Sequence, residues 1–357
     1  MLFILIISFL TAFTLAYFAI PHVINIAREK NLCEEPSERS SHTISTPALG
    51  GIGIFSAAIF SIVLWTPFRD FGNLQYILCA FIIVFLIGVK DDISPVSPVN
   101  KIIGQALAAS ILIFKSDIML RGFYGFFGLH AEWPLPFYTG LTIFTILVIV
   151  NAFNLIDGIN GLAGSIGALI CGTLGCWFFY VGRIEFAVVA FTIVGAIIAF
   201  LKYNYSPARI FMGDSGSLLV GTASVILVIK FIDMNYYMEV SQKGKILASP
   251  VVAIGIMILP LYDTIRVFIT RILRGHSPLH ADRRHIHHLL IDYGFSHMQA
   301  TGVLVSVNVF FILLAFSLNR AVEMHWLLAL IIFLASGLTY WLHTAVVRKK
   351  QKKLLLR

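Results

Sequence analysis

Long apolar stretches constrain the fold of this chain more than any other feature of its sequence. A helix needs roughly 17 to 25 mainly apolar residues to cross a bilayer, and about eleven stretches meet this requirement. They begin near Met1, Ala48, Leu74, Lys101, Tyr138, Leu162, Ile184, Ser215, Leu247, Thr301 and His325. The fourth is interrupted by Lys115 and Asp117, which leaves ten as an alternative count. The sequence therefore predicts an all-α, polytopic integral membrane protein with ten or eleven transmembrane helices.

The composition excludes a soluble globular protein. Hydrophobic residues make up 58% of the chain and charged residues only 12%, whereas soluble proteins carry about a quarter charged residues. The first stretch has neither a basic start nor a small-residue cleavage site, so we expect a retained helix and not a signal peptide. No internal repeat or linker is visible. We therefore expect one transmembrane domain over residues 1–357, with a histidine- and arginine-rich cytosolic loop at 270–300 and a basic cytosolic tail at 348–357.

The distribution of lysine and arginine predicts which helix ends face the cytosol. With an outside N-terminus and eleven helices, roughly 18 of the 26 basic residues fall in one set of loops, and such an excess marks the cytosolic side. The basic tail is expected to bind anionic lipid headgroups. The four cysteines show no paired spacing and are expected to be free thiols.

The conspicuous polar segments all fall on this cytosolic side, which predicts a single site there. The segment FMGDSGSLLVG, residues 211–221, places Asp214 where a basic loop enters an apolar helix. An ionised carboxylate at such a boundary is costly to desolvate unless it binds a cation or a donor. Gly213 and Gly216 would let backbone amides approach an anion, and Mg²⁺ is commonly held by one or two carboxylates plus phosphate oxygens. Binding of metal and phosphate is the functional interpretation, and a helix N-cap is the alternative.

Two further segments carry carboxylates near predicted helix ends. Asp91 and Asp92 follow an apolar stretch, and adjacent carboxylates stay ionised only near a cation or a basic partner. They are candidates to orient a lipid phosphate and to bind Mg²⁺, with a solvated helix end as the alternative. Asn151, Asn154 and Asp157 are spaced three residues apart and would lie near one stripe of a helix. This polar face is a candidate ligand site, with interhelical hydrogen bonding as the alternative.

The segment SPLHADRRHIHHLL, which begins at residue 277, concentrates histidine and arginine. It contains His280, His285, His287 and His288 together with Asp282, Arg283 and Arg284. Arginine guanidinium groups and imidazole N–H groups can donate hydrogen bonds to pyrophosphate oxygens, so phosphate recognition is the favoured interpretation. A zinc site and an unspecific basic loop are the alternatives, although no HExxH pattern accompanies the histidines.

The ordered segments KDD, NAFNLIDGINGLAG, FMGDSGS and HADRRHIHHLL resemble the polyprenyl-phosphate N-acetylhexosamine-1-phosphate transferases of glycosyltransferase family 4. A lead-in pattern precedes them, made up of Pro36, Arg39, His42, Pro47, Gly50 and Gly51. The resemblance extends from about Pro36 to Gly294 and implies a bundle of ten or eleven membrane helices with a cytosolic cleft. It also implies a reaction in which a UDP-linked N-acetylhexosamine gives its sugar 1-phosphate to undecaprenyl phosphate, with release of UMP. Mg²⁺ or Mn²⁺ would be required.

The resemblance further implies roles for individual residues. Asp214 would bind the metal, while Asp91 and Asp92 would act on the lipid phosphate and the metal. The implied catalytic residues are Asp91, Asp92, Asp157, Asp214 and His285. The implied substrate-binding residues are His42, Asn154, Phe211 (by stacking on uracil), Arg283, Arg284, His287 and His288. One departure is Asn160, where several members of the branch carry a second aspartate.

The histidine segment resembles the branch that uses UDP-GlcNAc or a related sugar to start O-antigen, enterobacterial common antigen or teichoic acid. The phospho-MurNAc-pentapeptide translocase of peptidoglycan synthesis is the alternative. We expect a bacterial cytoplasmic (inner) membrane protein among membrane lipids, with no nucleic-acid partner and with a homodimer left open. A lipid or ion-coupled transporter is the alternative from another class. It would spread polar residues to both faces, whereas here they stay on the cytosolic side.

Overall fold

The computed structural model describes residues 1–32, 46–275 and 284–355, with side chains as far as residue 352. Every regular element in these ranges is a helix, which confirms the all-α class. The first seven helices are α1 (Leu2–Glu29), α2 (Gly50–Trp65), α3 (Phe68–Phe71), α4 (Leu74–Ile93), α5 (Pro98–Ser116), α6 (Leu135–Ile156) and α7 (Leu162–Tyr180). The next seven are α8 (Ile184–Asn204), α9 (Gly213–Tyr237), α10 (Ser249–Ile256), α11 (Ile258–Ile272), α12 (Ile286–Tyr293), α13 (His297–Leu318) and α14 (Met324–Leu355). A single 3-10 turn, Phe126–Gly128, lies between α5 and α6.

Each of the predicted apolar stretches is helical. Within the described ranges, 7 helices are long and apolar enough to cross a membrane, and the count rises to 8 if the bent pair α10 and α11 forms one span. The apolar helix α2 is shorter, at 16 residues. These helices confirm a polytopic membrane protein, whereas the count of eleven spans stays a prediction.

The ninth predicted stretch does not form one continuous helix. It forms α10 and α11, whose axes differ by 81°. Pro260 has no backbone N–H to donate to the carbonyl of Ile256, and its ring would clash with that carbonyl in a continuous helix. Asn308 of α13 binds the freed groups: its Nδ2 donates to the Ile256 carbonyl at 3.0 Å, and its Oδ1 accepts from the Leu259 amide at 3.3 Å. The bend therefore leaves these backbone groups hydrogen-bonded inside the bundle.

Helix α9 forms the centre of the bundle. It packs against α2, α4, α6, α7, α8 and α10, and residues 215–229 are all buried. A Cβ at Gly88 of α4 would lie 2.4 Å from the Cα of Ser215, and a Cβ at Gly51 of α2 would lie 2.2 Å from the amide nitrogen of Gly216. Glycine at these two positions lets α2 and α4 approach the first turn of α9. This close packing places Asp214 next to the last turn of α4.

Candidate active site

Three charged side chains from three helices are joined by ion pairs at one end of the bundle, and they form the acidic cluster. Asp91 lies in the last turn of α4, Lys101 in the first turn of α5 and Asp214 in the first turn of α9. The Lys101 ammonium donates to Oδ2 of Asp91 at 2.9 Å and to Oδ2 of Asp214. The amide of Val96 donates to the other Asp91 oxygen at 2.6 Å. The three charged side chains are only 18 to 21% exposed, so solvent screens these ion pairs incompletely.

Asp92 directs its carboxylate at the N-terminus of α9. Its Oδ1 accepts from the amide of Asp214 at 2.6 Å, and its Oδ2 accepts from the amide of Ser215 at 3.1 Å and the hydroxyl of Ser215 at 2.6 Å. The first amides of a helix have no partner within the helix, and the helix dipole favours an anion there. The N-cap of α9 is Met212, not Asp214, and it provides no side-chain hydrogen bond. Asp92 therefore caps α9 from another helix, and its predicted role toward phosphate or metal stays a prediction.

The segment that leads into α2 runs alongside the segment that leads into α9. The amide of Phe211 donates to the carbonyl of Pro47 at 2.8 Å, and the carbonyl of Phe211 accepts from the amide of Gly50 at 2.9 Å. Gly213 has a φ of +70°, and a Cβ there would lie 2.0 Å from the carbonyl oxygen of Ala48. Glycine is therefore needed at this crossing for its conformation and for its size. The side chain of Phe211 is half-buried, and its stacking on uracil stays a prediction.

The polar stripe on α6 divides between two partners. Asn154 donates from Nδ2 to Oδ1 of Asp214 at 2.7 Å and to the hydroxyl of Ser217 at 3.1 Å. Asn151, one turn earlier, donates from Nδ2 to Oε1 of Gln105 on α5 at 2.7 Å. Asn154 therefore belongs to the acidic cluster, whereas Asn151 makes the interhelical hydrogen bond that was the alternative interpretation. Asp157 is the half-buried residue at the C-terminal end of α6.

The histidine-rich segment is not one continuous loop. Helix α12 lies within it, between the end of α11 and the start of α13. His285 and His287 are buried, whereas Arg284 and His288 are half-buried. Two further predicted binding residues, His42 and Arg283, lie outside the described residues.

Asp263 of α11 holds the start of α12. Its side chain is 1% exposed; Nδ1 of His285 lies 3.0 Å from its Oδ2, and the amide of Ile286 lies 3.1 and 3.2 Å from its two oxygens. Arg266 donates to Oδ1 of Asp263 at 2.8 Å and to the carbonyl of Arg284 at 2.5 Å. Such partners offset the cost of burying a carboxylate. An ionised Asp263 accepts from Nδ1–H of His285, so this contact sets the tautomer and orientation of the imidazole.

His287 connects α12, the histidine helix, with the end of α6. A Cβ at Gly158 would lie 2.4 Å from Nε2 of His287, so the imidazole rests directly on this glycine. His287 is 2% exposed, and no described residue forms a hydrogen bond with its Nε2. Burial, with a contribution from the neighbouring His288, lowers the pKa of His287 to about 3. The imidazole is therefore neutral at pH 7. Its contact with Gly158 places the start of α12 beside the end of α6.

Two residues of this arrangement, Lys101 and Asp263, lie outside the sequence motifs that predicted the site. Lys101 occupies the first turn of α5, where a cation opposes the helix dipole and therefore needs anionic partners. Asp263 interrupts an apolar stretch, with Arg266 three residues later, and an acidic residue in such a stretch generally has a partner or a function. Both signals could have been read from the sequence. The partners that give them meaning come from distant parts of the chain.

The acidic cluster offers a donor set that suits hydrated Mg²⁺. Asp91 and Asp214 each turn one oxygen toward the position that the Lys101 ammonium occupies. Mg²⁺ is usually bound by one or two carboxylates together with phosphate oxygens, and it retains several waters. Among the described residues, no three His, Cys, Asp or Glu side chains form a ready-made metal cage.

Comparison with known proteins assigns the chain to a family. The model of glycosyl transferase family 4 matches residues 74–232, from α4 into α9, which include the acidic cluster. A Salmonella typhi protein named undecaprenyl-phosphate alpha-N-acetylglucosaminyl 1-phosphate transferase is 30% identical over 282 residues, covering 77% of this chain and 73% of the relative. A Yersinia pestis protein of the same name is 29% identical with the same coverage. A Bacillus subtilis (strain 168) protein, named a probable undecaprenyl-phosphate N-acetylglucosaminyl 1-phosphate transferase, is 29% identical over 331 residues, or 92% of this chain and 88% of the relative.

Together with the helical bundle, these matches define a membrane-embedded transferase. The chain belongs to glycosyl transferase family 4. It is a phosphotransferase enzyme, and its acidic cluster lies within the matched residues.

Proposed function

We propose that this enzyme transfers GlcNAc 1-phosphate from UDP-GlcNAc to undecaprenyl phosphate, giving a lipid-linked sugar pyrophosphate and UMP. The observation that carries the proposal is the convergence of Asp91, Lys101, Asn154 and Asp214 at one end of α9. The names of the relatives support both the sugar and the lipid. The product would begin a cell-envelope polysaccharide.

The chemistry exchanges one phosphoanhydride for another. A phosphate oxygen of the lipid attacks the β-phosphorus of the UDP-sugar in line, and the bond from that phosphorus to the UMP oxygen breaks. The lipid phosphate is already ionised at neutral pH, so positioning and charge stabilisation are the main requirements. Lys101 is the cation held between the carboxylates of Asp91 and Asp214. Its ammonium would stabilise the negative charge that moves between the phosphates.

The acidic residues would hold Mg²⁺ with the substrate diphosphate. Asp214 and Asp91 would supply carboxylate oxygens, and bound Mg²⁺ would neutralise the diphosphate and polarise its oxygens. Asn154 orients Asp214 through its 2.7 Å hydrogen bond. Asp92 keeps the first turn of α9 in place through its contacts with two successive backbone amides.

The histidine helix would contact the donor sugar and its phosphates. Asp263 orients His285, and the neutral imidazole of His287 has an Nε2 for which the described chain supplies no partner. This Nε2 lies against Gly158, so we assign His287 the role of positioning α12 beside the end of α6. The site would face the cytosol of a bacterial inner membrane, because the predicted topology places roughly 18 of the 26 basic residues in the loops on that side.

A donor panel tests this proposal. Purified protein is incubated with undecaprenyl phosphate, Mg²⁺ and, in separate reactions, UDP-GlcNAc, UDP-GalNAc or UDP-MurNAc-pentapeptide, and both UMP and the lipid product are quantified. We expect one UMP released for each lipid-linked sugar, with UDP-GlcNAc preferred. Preferred use of the pentapeptide donor would contradict the proposed sugar. An absence of UMP with every donor, together with ion-coupled uptake in proteoliposomes, would support a transporter instead.

A further inference from the structure

The basic tail of the chain contacts the histidine helix. Helix α14 continues through the tail to Leu355, and it packs against α12. Lys349 donates to the carbonyl of Tyr293, and its ammonium lies 4.9 Å from the centre of the Tyr293 ring. Lys350 forms an ion pair with Asp292 at 2.7 Å. Two lysines that the sequence assigned to lipid headgroups are therefore engaged with the C-terminal end of α12.

Helix α12 depends on contacts from outside itself. It has only 8 residues, and a helix of this length is not stable in isolation because nucleation is costly. Its N-terminal end is held by Asp263 through the amide of Ile286 and through His285. At its C-terminal end, the amides of Gly294 and Phe295 donate to the carbonyls of Leu290 and Ile291, and the carbonyl of Tyr293 accepts from Lys349. A lysine ammonium also suits the partial negative charge of a helix C-terminus.

Gly294 leaves room for the Lys349 side chain beside the end of α12. Gly294, which follows α12, has a φ of +112°, and a Cβ there would lie 2.8 Å from the Lys349 ammonium. The glycine thus allows the left-handed turn that ends α12 and leaves room for the lysine. Cation–π contact and hydrogen bonding act on the same residue, Tyr293, so Lys349 binds the helix end by two kinds of interaction.

We propose that the cytosolic extension of α14 is a clamp that positions α12, with Lys349 and Lys350 as positioning residues for the transferase reaction. They touch no reacting atom; they act through α12, which carries His285 and His287 at its opposite end. The inference rests on the proposed function for its kinetic consequence. The contact itself can be tested independently of activity.

The test compares two double variants that remove the same charge from the same tail. Lys349→Ala/Lys350→Ala removes the clamp, whereas Arg348→Ala/Lys352→Ala removes two exposed cations for which the described chain shows no ion-pair partner. Hydrogen–deuterium exchange is measured on residues 284–295 of the full-length protein in anionic-lipid nanodiscs. We expect exchange in this segment to rise about tenfold in the clamp variant alone, because local opening sets the rate.

The same variants are assayed for transfer. We expect kcat to fall about fivefold and KM for the nucleotide sugar to rise in the clamp variant, because α12 carries the residues proposed to contact the donor. Lys349→Arg/Lys350→Arg should restore both exchange and kcat, since arginine keeps the charge and the ring contact. Unchanged exchange in the clamp variant would overturn the proposal, and equal effects of both alanine pairs would show that the tail acts through headgroup attraction. If the parent protein has no transferase activity, the proposed function fails while the exchange result still decides the contact.

Discussion

Asp91 and Asp92 are adjacent in the chain, yet we expect asparagine at the two positions to affect different properties. Asp91 shares the Lys101 ammonium with Asp214, whereas Asp92 accepts three hydrogen bonds at the start of α9. Asp91→Asn should therefore slow transfer with little loss of stability. Asp92→Asn should lower stability.

The magnitudes follow from the contacts. An asparagine at 92 has one acceptor oxygen instead of two, so at least one donor on Asp214 or Ser215 faces an amide NH₂. An unsatisfied donor costs about 1 to 3 kcal/mol, and loss of an anion at a helix N-terminus costs about 0.3 to 1 kcal/mol. We expect a total of about 1 to 4 kcal/mol and a Tm decrease on the order of 5 °C. Asp91→Asn keeps the acceptor for Val96 and should change the free energy of unfolding by less than about 1 kcal/mol.

Thermal unfolding in detergent and steady-state transfer from UDP-GlcNAc, at a temperature well below both Tm values, separate the two effects. Loss of one charged hydrogen bond in the transition state corresponds to about 1.5 to 3 kcal/mol, or roughly a 10- to 100-fold lower kcat for Asp91→Asn. Ser215→Ala, which removes only the hydroxyl donor to Asp92, is the matched control and should cost about 1 kcal/mol. An Asp92→Asn variant with the Tm of the parent protein would refute the capping argument. Equal loss of Tm in both variants would refute the division of roles.

Four further predictions concern the cluster, the histidine helix and the metal. Lys101→Met should lower kcat by roughly 10- to 100-fold, because it removes the charged donor between two carboxylates, whereas the exposed Lys90→Met should match the parent enzyme. Gly158→Ala should reduce both Tm and the rate of transfer, since the added Cβ would lie 2.4 Å from the His287 imidazole. Gly140→Ala, whose Cβ would have nothing within 4 Å, is the control. Equal Tm values for the two variants would contradict the contact. The pKa of His287 is lowered to about 3 in the folded protein, whereas an unfolded histidine titrates near pH 6.5. Below about pH 6.5 the unfolded chain therefore binds a proton that the folded chain does not. The free energy of unfolding is highest above this pH and falls by roughly 2 kcal/mol toward pH 5. Unfolding measured at pH 5 and 7.5 should show this loss in the parent and less of it in His287→Gln; an identical pH dependence in both would argue against a buried neutral imidazole. Removal of divalent ions by EDTA should abolish transfer, and Mg²⁺ or Mn²⁺ should restore it; restoration by zinc alone would favour the zinc interpretation.

Apolar length and residue spacing were sufficient to predict the class of fold and to single out several residues that meet in the candidate site. Each apolar stretch is helical because a backbone in lipid must satisfy its polar groups within the segment, and this requirement is local. Asp91, Asn154 and Asp214 could be predicted because polar residues at the ends of apolar helices are costly without a function. Pro260 marks the break between α10 and α11, but its partner, Asn308, lies on α13 and could not be inferred from local sequence.

The sequence by itself determined a helical membrane protein, the segments that carry its chemistry and, through its relatives, its family. Only the tertiary structure determined which residues of those segments contact one another. Lys101 joins Asp91 to Asp214, Asp92 caps α9, and Asp263 anchors the helix α12 in a segment that the sequence predicted as a loop. The physical reason is that each of these contacts joins residues from different helices. A charged or amide side chain in an apolar segment indicates that a partner is needed, but only the packing of the helices determines which residue is that partner.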